Sequence, residues 1–276
     1  MNKIEEIVKQ HYSVGNLAER ILDGLKATGA DLDKLTIEDI SAVDEFHIGG
    51  RKATQYVISK MPVSARAHVL DVGCGIGGAA RTMVSQIGCK VTGIDLTPEY
   101  IEVARALSRR TRLDNKADFH IASALALPFK GQTFDAALTI HVAMNIPDRD
   151  ILYKEIARVT KSGATLCIYD VMKKGDAPVI FPVPWAQNAA SSHLVSPDEM
   201  VPLLEDAGFE ISEVEDRTEN AVEFFRQSEA AATSNPSPLG VHLIMGPTAQ
   251  QKLQNVRRNI ADGRIAPVLI VAHRKT

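Results

Sequence analysis

The residues with the clearest chemical meaning form a glycine-rich turn that directly follows an apolar segment. The segment Val69–Val72 is typical of a buried strand, and Gly73, Gly75 and Gly78 follow it with the spacing G-x-G-x-x-G. Because glycine has no Cβ, the backbone N–H groups of such a turn can approach a ligand where the next helix begins. The pattern therefore predicts a site for a nucleotide-containing cofactor.

The carboxylate of Asp71, two residues before Gly73, separates two kinds of cofactor. Dinucleotides of the NAD type and S-adenosylmethionine both bind at the carboxyl end of a first parallel strand. A buried negative charge at Asp71 would repel a pyrophosphate, whereas it would attract the ammonium group of a methionine moiety. The sequence therefore favours S-adenosylmethionine, with an NAD-type oxidoreductase as the alternative.

Length and composition exclude several classes of protein. The 276 residues fit one α/β core with insertions, and 45% hydrophobic against 24% charged residues is a globular balance. The net charge of −3 predicts neither a nucleic-acid partner nor binding to anionic membranes. The three cysteines lack disulfide or metal spacing, so we expect a cytoplasmic protein without a metal site. No segment approaches the length of a membrane-spanning helix.

From about residue 67 onward, short apolar runs alternate with amphipathic stretches. This rhythm predicts an α/β fold with a doubly wound, seven-stranded, mostly parallel sheet. Helices are expected at 76–86, 98–111, 148–160 and 197–207. The predicted strands are His68–Val72, Lys90–Asp95, Asp118–Ala122, Phe134–His141, Ala164–Val171, Phe209–Glu215 and Pro267–His273.

The remaining segments predict additions to this core. Residues 1–60 are expected to form a helical cap, and residues 61–276 the cofactor-binding core. Two lid insertions are expected within the core: a proline-rich segment at about 172–195 and two helices at about 218–262.

Four blocks of sequence resemble, in order, motifs of the class I S-adenosylmethionine-dependent methyltransferases. They are Leu70–Gly77, Val91–Leu96, Ala126–Phe129 followed by Phe134-Asp135, and Ala157–Gly163, which together span about 67–170. The flanks, with Asp44–Arg51, look more loosely like small-molecule members near the ubiquinone/menaquinone and sarcosine/dimethylglycine methyltransferases. The resemblance implies a Rossmann-like methyltransferase fold and methylation of a small organic acceptor. Nitrogen or oxygen is favoured as the methylated atom and carbon is possible; a non-catalytic relative that only binds the cofactor is a further alternative.

The resemblance also implies roles for the residues near the glycine turn. Gly73, Gly75 and Gly77 would let the backbone pack against the methionine and ribose parts of the cofactor, and Asp71 would orient the ammonium group. Asp95 ends the second strand, 22 residues after Gly73, where it would accept the ribose hydroxyls. A cap on the next helix is the competing structural role for Asp95.

The adenine is expected to contact residues that follow the second and third strands. Leu96 would stack on its ring, and Ala124 and Leu125 would lie beside it. Ser123 stands where many relatives have an aspartate that accepts a hydrogen bond from the adenine amino group. A serine hydroxyl can also accept one, but the bond is weaker because it is neutral.

His141, Met144 and Asn145 follow the fourth strand, at the edge where the methyl acceptor is expected. A neutral amine would attack unaided, whereas a hydroxyl acceptor needs a base, for which His141 and His47 are the candidates. His141 would then lie beside both cofactor and acceptor. A purely structural hydrogen-bonding role is an equal alternative for His141.

Three aromatic residues outside the core motifs are candidates for the wall of the acceptor pocket. They are Tyr12 and Phe46 in the predicted cap and Trp185 in the proline-rich insertion. Packing of the lid onto the core explains Trp185 equally well. The acceptor itself is not identified by the sequence, and a homodimer is the default expectation for an enzyme of this kind.

Overall fold

A seven-stranded sheet forms the centre of the molecule in the computed structural model, which describes residues 3–234 and 237–276. The strand order is β3-β2-β1-β4-β5-β7-β6, and β7 runs antiparallel to both of its neighbours while the other pairs are parallel. The predicted fold class is therefore confirmed. The strands are β1 His68–Val72, β2 Lys90–Asp95, β3 Ala117–Ile121, β4 Phe134–Ile140, β5 Thr160–Lys173, β6 Phe209–Asp216 and β7 Ile265–Arg274.

Helices cover both faces of this sheet because successive side chains of a buried strand point to opposite sides. In β1, Val69 packs in one apolar cluster with helices α4, α5 and α6, whereas Leu70 packs in another with α7 and α8. The helices are α4 Gly50–Ser59, α5 Gly78–Ile87, α6 Pro98–Arg110, α7 Arg149–Val159 and α8 Pro197–Asp206.

Three shorter helices precede α4: α1 Lys3–Tyr12, α2 Leu17–Ala27 and α3 Ile37–Asp44. Helix α2 packs against α6, and its first turn is held by the Glu99 carboxylate, which accepts hydrogen bonds from the N–H groups of Val14, Gly15 and Leu17 at 2.9–3.1 Å. Helix α3 is tied to α5 by a buried ion pair between Asp44 and Arg81. The N-terminal segment is thus attached to the sheet's helical layer.

The two insertions pack on each other. Strand β5 is longer than expected, because Met172 and Lys173 pair with Ala266 and Ile265 of β7, so the first insertion begins at residue 174. The second contains α9 Thr218–Ser234, α10 His242–Met245 and α11 Ala249–Ala261, not two helices; Asn235 and Pro236 lie outside the described residues. Trp185 of the first insertion packs in one cluster with Phe225 and Val256 of the second.

Candidate functional site

A cavity of about 1730 Å³, its open mouth included, lies at the carboxyl ends of β1, β2 and β4. Strands β2 and β4 lie on opposite sides of β1, so the chain reverses its direction of winding at this point. In doubly wound sheets ligands bind in the crevice at such a point. Helix α1, the α3–α4 connection and both insertions complete the cavity wall.

The glycine turn lies on the floor of the cavity. The N–H groups of Gly73 and Cys74 both donate to the carbonyl oxygen of Ile94, at 2.8 and 2.9 Å, which ties the turn to the end of β2. Gly75 has φ +54° and its missing side chain would meet no atom within 4 Å, so its backbone is open to the cavity.

Gly77 occupies a different place from the one expected. It has φ +88° at the start of α5, and a Cβ there would lie 2.8 Å from Phe119, but it does not line the cavity. A glycine is therefore needed at this position, because the start of α5 packs closely against β3. Gly78 lines the cavity instead and lies against the Asp44 carbonyl, where a Cβ would be only 2.2 Å away.

Asp71 presents a buried carboxylate to this floor. Its side chain is 2% exposed, and Oδ2 has no hydrogen-bond partner in the part of the chain that the structure describes. Burial, followed by the charges of Asp95 and Glu45, raises the pKa of Asp71 to about 7. An unpartnered buried carboxylate oxygen fits a cationic ligand group such as the ammonium of S-adenosylmethionine.

Asp95 lies two residues before Thr97, the N-cap residue of α6, and so does not cap that helix itself. Its Oδ1 accepts from the Thr97 N–H at 2.8 Å and its Oδ2 from the Gly75 N–H at 3.0 Å, so it braces the turn before α6. Burial raises its pKa despite these bonds. The carboxylate also lines the cavity, as does the neighbouring Leu96.

Ser123, Ala124 and Leu125 line the same end of the cavity. The Ser123 hydroxyl donates to Glu5 Oε1 of helix α1 and accepts from the Leu125 N–H at 3.1 Å. Glu5 is 8% exposed and lines the cavity as well. Sequence reasoning missed Glu5, because 118 residues separate it from Ser123 and no motif surrounds it.

His141 lies directly after β4 with φ +56°, a left-handed conformation that non-glycine residues adopt rarely. Its N–H donates to the Tyr169 carbonyl at 2.8 Å. Its side-chain Nε2 is buried and has no partner among the described residues. Burial, and secondarily the neighbouring His47, lowers the pKa of His141 well below its ordinary value. The structure therefore presents a neutral imidazole to the cavity.

His47 lies beside His141, with 5.8 Å between the ring centroids. Its Nε2 contacts Glu45 Oε2 at 3.0 Å and Thr54 Oγ1 at 2.8 Å, and the Thr54 hydroxyl donates to the same carboxylate oxygen at 2.6 Å. Burial opposes ionisation of Glu45, but the hydrogen bonds from His47 and Thr54 outweigh it and lower the Glu45 pKa. Glu45 and Thr54 orient His47; the sequence analysis assigned neither a role.

The other predicted acceptor residues meet on one side of the cavity. The Tyr12 hydroxyl donates to Asn145 Oδ1 at 2.9 Å, and Asn145 Nδ2 donates to the Trp185 carbonyl at 2.7 Å. Phe46 and Met144 line the cavity next to them. We call this region, with His47 and His141, the acceptor side. It joins helix α1, the turn after β4 and the first insertion.

The lining of the cavity is apolar and acidic. Among the described residues that form its wall there is no lysine or arginine. The charged lining residues are all acidic: Glu5, Asp44, Glu45, Asp71, Asp95 and Asp148. Most of the wall on the acceptor side is apolar, including Ile48, Met144, Trp185, Phe225, Ile244 and Val256.

Over residues 3–234 and 237–276, no three His, Cys, Asp or Glu side chains are grouped so that they could hold a metal ion. Within the same ranges, no helix has both the length and the apolar character needed to cross a membrane.

Comparison with known proteins agrees with this geometry. Residues 70–168 match the family model described as a methyltransferase domain. Methyltransferase GfsG of Streptomyces halstedii is 31% identical over 184 residues, which are 66% of this chain and 66% of that protein. O-methyltransferase resE of Aspergillus sclerotiorum is 28% identical over 228 residues, covering 79% of this chain and 83% of the relative.

The fold also matches solved structures. The crystal structure of the [4+2]-cyclase SpnF superimposes with a TM-score of 0.70 over 100% of this chain and 98% of that one, at 21% identity. Such a likeness shows the fold alone. The family model and the sequence relatives go further: they confirm the resemblance predicted from the motifs and do not favour the NAD-type alternative. The chain belongs to the class I S-adenosylmethionine-dependent methyltransferases and transfers methyl groups to small molecules.

Proposed function

We propose that the protein methylates a hydroxyl group of a largely apolar small molecule that carries no phosphate or carboxylate. The unpartnered Nε2 of His141, neutral and buried on the acceptor side, is the observation that carries this proposal. When bound, S-adenosylmethionine supplies an activated methyl group. His141 accepts the hydroxyl proton as the acceptor oxygen attacks, a step that an amine acceptor does not need.

The cofactor would lie along the floor of the cavity. In this proposal Asp71 binds the ammonium group and Asp95 the ribose hydroxyls, while the open backbone at Gly75 lets the chain pack closely against the ligand. Leu96 and the segment 123–125 surround the adenine. The unpartnered Asp71 oxygen and the position of Asp95 in the cavity wall support this direction of binding.

The absence of cations from the described wall supports the choice of acceptor. Recognition of a phosphate or carboxylate in a buried site calls for arginine, lysine or a row of N–H donors, because an unpaired buried anion is costly. Acidic side chains would repel such a group in addition. Relatives named as O-methyltransferases, such as resE, favour oxygen as the methylated atom.

We further propose that residues 1–60 act as a cap and that the two insertions act as lids over the acceptor. The hydrogen bonds that join Tyr12, Asn145 and Trp185 support this division of the chain. A cytoplasmic location is also proposed, since all three cysteines are free and buried thiols. The homodimer and the lack of a nucleic-acid partner stay predictions.

The proposal is tested with matched acceptors and mass spectrometry of the products. A panel of apolar phenols and alcohols is incubated with enzyme and S-adenosylmethionine, each beside its amine counterpart and beside an analogue that keeps the hydroxyl and carries a phosphate or carboxylate at another position. We expect methyl ethers from members of the hydroxyl series and no product from the anionic analogues. Preferential methylation of the amines, or of the anionic analogues, would contradict the proposal.

A further inference from the structure

We infer that Glu5 of helix α1 recognises the adenine amino group, so that selection of the cofactor's base is shared between the loop after β3 and the N-terminal helix. The inference rests on the proposed position of the adenine beside Leu96 and residues 123–125. Many relatives have an aspartate at the position of Ser123 that accepts a hydrogen bond from the adenine amino group. In this chain we assign that role to Glu5, which lies far outside the family motif.

The position of the Glu5 carboxylate is the first observation. Glu5 is 8% exposed and lines the same end of the cavity as Ser123, Ala124 and Leu125. A carboxylate is rarely buried to this extent unless donors surround it. Ser123 donates to this carboxylate, which can accept several hydrogen bonds at once and also borders the cavity.

The state of the Ser123 hydroxyl is the second observation. Its hydrogen is directed to Glu5, and its oxygen already accepts from the Leu125 N–H at 3.1 Å. Ser123 is therefore well placed to hold Glu5 and poorly placed to be the main partner of the base. Glu5 restores at this end of the cavity the negative charge that Ser123 itself lacks.

The chemistry of the purine edge makes the proposal specific. Adenine carries an amino group at C6, which only donates, and a carboxylate only accepts, so the two match. Hypoxanthine carries a carbonyl oxygen at C6, which also only accepts. A carboxylate facing that oxygen would be left without a donor and would repel it, so Glu5 should discriminate between the two bases.

Recognition by Glu5 would also place the acceptor side under the control of the cofactor. Helix α1 carries His11, whose Nε2 contacts the Pro184 carbonyl at 2.8 Å, and Tyr12, which donates to Asn145. When Glu5 fixes the first turn of α1 against the adenine, the last turn of α1 is also held in place against the first insertion.

Calorimetric titration with S-adenosylhomocysteine and S-inosylhomocysteine tests the inference without turnover. The wild type is expected to prefer the adenosyl ligand by about tenfold or more, the scale of a hydrogen bond to a charged group. Glu5→Gln should weaken adenosyl binding and bring the two dissociation constants within about twofold of each other, because an amide can donate as well as accept. Glu6→Gln, on the same helix but outside the cavity wall, is the matched control and should leave both constants unchanged.

Two further variants distinguish a failure of the inference about Glu5 from a failure of the proposed cofactor position. Asp95→Asn should weaken both ligands equally, because the ribose is common to them. If Asp95→Asn weakens both but Glu5→Gln keeps the wild-type preference, the inference about Glu5 is wrong while the cofactor position stands. If Asp95→Asn changes neither constant, the proposed cofactor position fails and the inference with it. Should Glu5→Gln not fold, Ser123→Ala serves instead: it removes the bond that holds Glu5, and an undiminished preference would overturn the inference.

Discussion

At the scale of single residues, burial raises the pKa of Asp71 and lowers the pKa of His141, and in both cases it favours the uncharged form. A buried site disfavours the charged form of any group, so it raises the pKa of an acid and lowers that of a base. Asp71 is thereby brought to a pKa of about 7, and His141 is held neutral. The unliganded site therefore carries less charge than its composition implies. A cationic ligand group would restore the Asp71 charge on binding.

This shift predicts a pH dependence of cofactor affinity. Only ionised Asp71 pairs with an ammonium group, and in the free protein half of it is protonated near pH 7. S-adenosylhomocysteine binding should therefore weaken as pH falls from 7.5 to 6, approaching about tenfold per pH unit below the pKa. Calorimetry over this range measures it. Asp71→Asn should bind more weakly at pH 7.5 and lose the pH dependence; a wild-type affinity that is flat with pH would contradict the role of Asp71.

His141 predicts a loss of turnover with intact cofactor binding. His141→Ala removes the proposed base, and general acid–base catalysis contributes about 10²–10⁴-fold to a rate. We expect kcat for a hydroxyl acceptor to fall within that range, while the dissociation constant for S-adenosylhomocysteine stays the same. Because the pKa of His141 lies well below 6.5, protonation of this residue should not lower kcat between pH 6.5 and 8. Normal turnover of several hydroxyl acceptors by the variant would make the residue structural.

The sequence predicted which residues at the ends of strands line the cavity. Asp71, Asp95 and His141 each follow an apolar run, and parallel strands bring their carboxyl ends to one edge of the sheet, so proximity followed from the pattern alone. Glu5 and Glu45 come from connections and helices whose position depends on tertiary packing. Nothing in their local sequence distinguishes them from solvated acidic residues, which is why they were missed.

At the scale of elements, the strands were more predictable than the segments that cover the site. An apolar run marks where a strand lies, but its ends depend on its neighbour: β5 extends to Lys173 because β7 is long enough to pair with it. The helix count of the second insertion was wrong for a similar reason. Helix α10 has only four residues and is fixed by contacts with α2 and α11, which no local periodicity reports.

The attachment of the N-terminal helices gives a prediction at this scale. The Glu99 carboxylate accepts three N–H groups at and before the start of α2. Glu99→Ala should lower the free energy of unfolding by about 1–2 kcal/mol, the scale of a lost helix cap, because these donors return to water. Urea denaturation measures the loss, and hydrogen exchange should show faster opening of residues 14–27. The matched control is Glu102→Ala, because Glu102 is an exposed glutamate on α6, the helix that carries Glu99. Equal losses of stability in both variants would exclude a specific role for Glu99.

At the scale of the whole molecule, the site lowers the stability of the unliganded fold. The folded protein holds a proton on Asp71 up to a pKa of about 7, whereas the unfolded chain releases it near the ordinary value of 3.8. Between these values the folded state binds the extra proton, so the Asp71 contribution to stability falls as pH rises from about 4 to 7. His141 has the opposite sign, since its lowered pKa costs stability below about 6.5.

The difference between wild type and Asp71→Asn isolates the first of these effects, because His141 is common to both proteins. We expect the unliganded variant to become more stable than the wild type as pH rises from 5 to 8, by up to a few kcal/mol, with the difference levelling off above pH 7. Urea denaturation at intervals of half a pH unit measures it. Saturating S-adenosylhomocysteine should stabilise the wild type more than the variant at pH 8, because its ammonium group pairs with the ionised carboxylate. A stability difference independent of pH would mean that Asp71 has the same protonation state in the folded and unfolded chains. Protonation of Asp71 would then not be the reason why the site lowers the stability of the unliganded fold.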